Sequence, residues 1–182
     1  AHAWAHVLYE RGDEREGGAF VEAWLPGYPR EGQLHCHLSW HLALFELARG
    51  RLDRASAIYL ESVRPGVALS PALPALADCA SLLWRGELAG AARRADHWAE
   101  VAAFAARSFP KIGIGFADAH CAAAYAAAGE REALDRWIAE LRIADDAGRL
   151  ASGSALPMVA EALGAFARGD YDGAIRLLAP AV

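Results

Sequence analysis

Two pairs of histidines in this chain have a spacing that puts both side chains on one side of a helix. His2 and His6 form the first pair, and His37 and His41 form the second. Residues four apart lie on the same helical face, one turn above each other. Imidazole nitrogens donate or accept hydrogen bonds, and neutral imidazole is a common metal ligand. The two pairs therefore predict a site for a polar ligand or for a metal ion.

Three interpretations of these histidines are open from the sequence. In a ligand groove, the imidazoles donate to a carboxylate or a phosphate group. In a metal site, two such pairs on adjacent helices and an Asp or a His from a third helix form a plausible ligand set, with two-histidine-one-carboxylate chemistry as one outcome. As structural residues, the imidazoles bond carbonyls and neighbouring acids between packed helices. The groove is favoured, and a helical HExxH hydrolase is not, because Ala3 and Leu38 stand where its glutamate would be.

Regularly spaced glycines divide the chain into helical repeats. Their separations are 38, 40, 39 and 40 residues, and their positions are Gly12, Gly50, Gly90, Gly129 and Gly169. Each follows an alanine-rich run, where a helix C-cap residue with positive φ is expected. A near-constant period of this size is typical of helical repeat arrays. The sequence predicts an all-α protein with ten helices, at residues 1–11, 14–25, 34–49, 52–63, 72–86, 91–108, 115–128, 131–147, 154–168 and 171–179.

Composition and charge argue against several classes of function. The net charge is −5, and arginines are scattered among acids, so no nucleic-acid-binding surface is predicted. No window contains about 18 consecutive apolar residues, so no membrane association is predicted. Three widely spaced cysteines, Cys36, Cys79 and Cys121, predict reduced packing residues in a cytoplasmic protein.

The first residues already follow an apolar helical pattern and do not include an initiator Met. We therefore expect a fragment of a longer chain that lacks N-terminal repeats. A truncated repeat array exposes an unpaired apolar helix face. We expect at least one of Trp4, Val7 and Leu8 to be left exposed or to be covered by another chain.

Four segments carry a resemblance to a known family. They are HAWAHV at 2–7, HLSWHLALF at 37–45, DCASLLWR at 78–85 and FADAH at 116–120. In this order, over about the first 130 residues, the chain resembles the tetratricopeptide repeat protein 38 family. The resemblance implies one domain over residues 1–182, a right-handed α-solenoid of about five helix-turn-helix repeats. The family has no settled biochemical activity, so the resemblance implies an architecture and candidate positions but no reaction.

Tetratricopeptide numbering, anchored on the glycines, places the candidate residues on one surface. His2 and His6 take positions 5 and 9 of their repeat, and His37 and His41 take positions 2 and 6 of the next. In this family those positions line the concave groove. Ser81 and His120 also take position 6, and Asp78 and Asp118 lie near the edge of the groove. The predicted ligand-binding set is His2, His6, His37, His41, Asp78, Ser81, Asp118 and His120.

Rings from neighbouring first helices are expected roughly 5–10 Å apart, since packed helices lie about 8–10 Å apart. At least one imidazole should then have a lowered pKa, because protonated neighbours repel each other, unless Asp78, Asp118 or a ligand intervenes. The five candidate metal ligands are His2, His6, His37, His41 and His120.

The function predicted from these features is a tetratricopeptide-type interaction scaffold. Its histidine-lined groove would take a peptide, a small acidic ligand or a partner chain, and a homodimer is a further possibility. No catalytic residue is assigned. The alternative is an enzyme that depends on a divalent metal held by the histidine and aspartate patch.

Overall fold

Alanine-rich segments with apolar residues every three or four positions fold as α-helices throughout the computed structural model, which describes residues 1–181. The helices are α1 (His2–Glu10), α2 (Glu14–Trp24), α3 (His35–Ala48), α4 (Leu52–Ile58), α5 (Ala72–Leu88), α6 (Ala95–Ser108), α7 (Gly115–Ala128), α8 (Arg131–Asp146), α9 (Ala155–Ala167) and α10 (Tyr171–Leu178). Tyr59–Val63 continues α4 as a π-helix, and Leu25–Gly27 and Ala179–Ala181 are 3₁₀ turns. Residues 1–181 contain no β-strand. The prediction of an all-α protein with ten helices is confirmed.

The largest difference from the predicted boundaries is at the start of α6. It begins at Ala95, four residues later than predicted. The N–H of Ala91 donates to the Gly86 carbonyl, and Arg93 forms an ion pair with Glu87 at 2.8 Å. The first bond recurs after the other repeat glycines, whereas the ion pair links Arg93, in the segment that precedes α6, back to the end of α5.

The five repeat glycines close their helices in one way. Gly12 has φ +72°, and its N–H donates to the Tyr9 carbonyl, while the N–H of Asp13 donates to the Leu8 carbonyl. This pair of bonds is a Schellman motif, which needs a left-handed residue after the last turn. The same two bonds and a positive φ recur at Gly50, Gly90, Gly129 and Gly169. The predicted role of these glycines as helix ends is confirmed.

The helices group into two compact units, residues 1–94 and residues 95–182. In the first unit α3 is the central helix, and α1, α2, α4 and α5 all pack on it. In the second unit α7 packs on α6, α8 and α9, and α9 packs on α10. The histidine pairs belong to α1 and α3 of the first unit. The single domain and the tetratricopeptide-like solenoid stay predictions.

Two further expectations concern exposure and thiols. Trp4 and Val7 are 44% and 41% exposed, so the expectation of an exposed apolar residue on α1 is confirmed, whereas Leu8 is fully buried.

The three cysteines are free and buried, as predicted. Burial raises the pKa of Cys121 to about 12, so this thiol stays protonated and packs as a small apolar group. None of the helices in the described residues is long and apolar enough to cross a membrane.

Candidate metal centre

The four histidines of the two pairs meet between α1 and α3. One ring nitrogen from each of His2, His6, His37 and His41 lies within 4.8 Å of those of the other three. Ring centres on opposite helices are between 4.4 Å (His6–His41) and 6.3 Å (His6–His37) apart. The expectation that His2 and His6 come close to His37 and His41 is confirmed, and two of the ring separations, 4.4 Å and 4.8 Å, lie below the expected range.

A carboxylate from α5 orients one of these imidazoles. Oδ1 of Asp78, a residue only 3% exposed, accepts a hydrogen bond of 2.9 Å from Nδ1 of His37. An ionised carboxylate can only accept, so the proton of His37 is on Nδ1 and Nε2 carries a lone pair. That lone pair faces the other imidazoles. A carboxylate behind a histidine in this way is the usual outer shell of a metal-binding histidine.

Three Nε2 atoms converge at distances that neutral imidazoles cannot all satisfy. Nε2 of His2 lies 2.9 Å from Nε2 of His37 and 2.9 Å from Nε2 of His6. If Nε2 of His2 is protonated, its one hydrogen must serve both neighbours. If it is not, two lone pairs of His2 and His37 face each other. In either arrangement the three rings present excess lone-pair density, which a cation placed among them would balance.

His41 completes the group from the buried side. It is 1% exposed, and neither ring nitrogen has a hydrogen-bond partner within the described residues. Burial, and then the charges of His37, His6 and His2, lower the pKa of His41 to about 3. A buried polar group without a partner costs about 1–3 kcal/mol. His41 is therefore a neutral imidazole with free nitrogens, the form in which histidine binds metals.

The remaining exposure of the cluster decreases from His6 to His41. His6 is exposed, His2 and His37 are half-buried, and His41 is buried. Burial, then the charges of His37 and His6, lowers the pKa of His2 as well. The expectation that at least one imidazole has a lowered pKa is confirmed for His41 and His2. Solvent reaches the cluster from the His6 side.

A second contact between α5 and α3 supports the first, one turn further along both helices. The indole Nε1 of Trp40 donates to Oγ of Ser81 at 2.8 Å, and the indole stacks on the His37 ring at 5.2 Å. Ser81 is thus a partner of Trp40, which in turn covers one face of His37. The sequence prediction included Ser81 but not Trp40. The equal offset of 41 residues in His37–Asp78 and Trp40–Ser81 is the signal that relates the two contacts.

The other two predicted site residues lie in the second unit. Asp118 is buried, and its Oδ2 accepts from the N–H of Gly113 at 3.0 Å. Burial raises the pKa of Asp118, although bonds from backbone N–H groups lower it. Nδ1 of His120 bonds the carbonyl of Phe116 at 2.7 Å. The four-histidine cluster consists of first-unit residues, so it contains four of the five histidines predicted as metal ligands.

The cluster has the dimensions of a transition-metal site. With Zn–N bonds of about 2.0–2.1 Å, the nitrogens of a tetrahedral site lie about 3.3 Å apart. The observed separations, from 2.9 Å up to 4.8 Å, differ from this by amounts that small ring rotations supply. Four nitrogen donors suit Zn²⁺ and Cu²⁺, whereas Mg²⁺ and Ca²⁺ prefer oxygen.

No protein-family model matches the chain, and no solved structure matches it. The resemblance to the tetratricopeptide repeat protein 38 family stays a prediction.

Proposed function

We propose that this protein binds one transition-metal ion, with Zn²⁺ as the leading candidate, through His2, His6, His37 and His41. The observation that carries the proposal is the convergence of four ring nitrogens, one of them from a buried His41 without a hydrogen-bond partner in residues 1–181. Asp78 supports it by holding the proton of His37 on the nitrogen that points away from the cluster. A metal ion would give every one of these nitrogens a partner.

The two other interpretations account for less of the geometry. Structural histidines should bond carbonyls or acids, yet of the four cluster histidines only His37 does so within residues 1–181, while His2 and His6 bond imidazoles. A ligand groove should present its imidazoles to solvent, yet His41 is 1% exposed. A metal ion needs neutral imidazoles that face each other and need not all be exposed.

Four protein ligands favour a site that holds the ion over a site that performs chemistry. Structural zinc sites use four protein ligands, whereas catalytic zinc sites leave one position to water. An enzymatic role would require solvent or substrate to enter on the exposed His6 side. The proposed function is therefore metal-dependent stabilisation of the first unit.

Titration calorimetry of untagged protein with Zn²⁺ tests this proposal. We expect one ion per chain, and we expect His41→Gln to weaken binding at least tenfold because it removes the most buried donor. His120→Gln is the matched control, since this histidine bonds a backbone carbonyl outside the cluster, and it should bind Zn²⁺ like the natural sequence. No binding by the natural sequence, or equal binding by His41→Gln, would refute the site.

The finer fold assignment is part of this proposal. Five Schellman motifs at a spacing of 38–40 residues support a tetratricopeptide-like, right-handed repeat that displays surfaces for protein partners. A crystal structure tests the handedness and the stacking of the helix pairs.

A further inference from the structure

Compared with α3, the central helix of the first unit, α1 has weak apolar packing. The helix has nine residues, and only Ala5 and Leu8 are buried. Trp4 and Val7 point outward and are more than 40% exposed. Segments with few buried apolar contacts open more easily than the rest of a fold.

The polar contacts of α1 with the rest of the unit run through its histidines. Its side chains form no ion pair with other elements among residues 1–181, and its side-chain hydrogen bond to another helix is the one from His2 to His37. The ring of Tyr9 contacts Phe45 edge-on at 6.0 Å. Two of the four proposed metal ligands are therefore the main polar link between α1 and α3.

We infer that the metal ion clamps α1 onto α3, so that metal loading controls whether residues 2–10 are docked. This inference rests on the proposed metal site and adds its consequence for the fold. His37 and His41 lie on α3, which is packed from several sides, so that half of the site persists without metal. His2 and His6 reach the ion only when α1 is docked. Metal binding and docking of α1 are then one coupled equilibrium.

The coupling has a size that follows from mass action. An ion that binds only the docked form lowers the equilibrium constant for opening of α1. The factor is one plus the ratio of the free ion concentration to Kd. At a free Zn²⁺ concentration of 100 times Kd, opening of α1 should be suppressed about 100-fold. Helices that do not supply ligands, such as α8, should not respond.

Hydrogen exchange of the full chain, with calorimetry on the same sample, tests the clamp. With Zn²⁺ we expect the amides of residues 5–10 to exchange up to about 100-fold more slowly, and those of α8 to be unchanged. Mg²⁺ at the same concentration should change neither. In His6→Gln, the factor by which Zn²⁺ slows exchange in α1 should be at least ten times smaller than in the natural sequence.

The possible results separate the clamp from the site. If calorimetry shows one bound Zn²⁺ but exchange in α1 is unchanged, or is slowed no more than in α8, the clamp is wrong and the metal site stands. If no Zn²⁺ binds, the proposed function and the clamp both fail. If Mg²⁺ protects α1 equally, the effect is one of ionic strength and the clamp is likewise overturned.

Discussion

Replacing Asp78 by Asn isolates the contribution of the carboxylate behind the metal ligands. Asn has nearly the same volume as Asp, and the site is 3% exposed, so packing around α5 is retained. The amide oxygen can still accept from Nδ1 of His37, but without a negative charge the imidazole is a weaker base. If the amide instead turns its NH₂ toward His37, the ring proton moves to Nε2 and this nitrogen can no longer bind a metal.

The expected effect on metal affinity follows from these contacts. Loss of an outer-shell partner of a metal-binding histidine weakens binding about 10–100-fold. That range corresponds to about 1.4–2.8 kcal/mol of binding free energy. The free energy of unfolding of the metal-free protein should change by less than this amount. The weaker hydrogen bond to His37 destabilises the fold, but removal of a buried charge offsets that loss.

Competition titration with a chromogenic zinc chelator measures the Kd of each variant. Ser81→Ala is the matched control, because Ser81 lies one turn away on α5 and bonds Trp40 rather than a ligand. It should remain within about threefold of the natural sequence, since the ligand geometry of His37 is retained. An unchanged Kd in Asp78→Asn would refute the role of the carboxylate, and an equal loss in Ser81→Ala would trace the effect to the packing of α5 on α3.

Two further predictions concern stability. Without metal, lowering the pH from 7 to 5 should destabilise the protein by about 2 kcal/mol through His41: its folded pKa is about 3 and its unfolded value is 6.5, so between these values only the unfolded state takes up the proton. Urea unfolding at pH 7 and at pH 5 measures this loss. The variant His41→Gln should lose less stability between the two pH values than the natural sequence does. An equal loss in both proteins would assign the effect to other groups. Gly50→Ala should lower the free energy of unfolding by about 1–2 kcal/mol, because φ at this position is +72°. An added Cβ would meet no atom within 4 Å, so the cost is conformational and not a steric clash. Gly27→Ala, with equal space and an ordinary φ, is the control, and equal thermal shifts for both would contradict a conformational cost.

Local signals explain why the helices were predictable. A Schellman motif involves six consecutive residues, so its glycine can be recognised without knowing the tertiary fold. The late start of α6 has no such local signal, and the segment before it is linked to α5 by an ion pair of Arg93 with Glu87. Helical phase is equally local, and for that reason the sequence predicted that His2 with His6, and His37 with His41, would face one side.

The sequence by itself determined which residues could form the site, and the tertiary structure decided which of them do. The period of the helix places the imidazoles in pairs, but only the packing of α1 and α5 on α3 brings two pairs and Asp78 together. That packing buries His41, which pattern analysis placed in an open groove, because burial depends on neighbours distant in sequence. The same packing makes Ser81 the hydrogen-bond acceptor of Trp40. Asp118, in contrast, accepts a hydrogen bond from a backbone N–H of its own segment. Contacts between helices depend on axial register and crossing angle, and neither quantity is encoded in the spacing of residues along one helix.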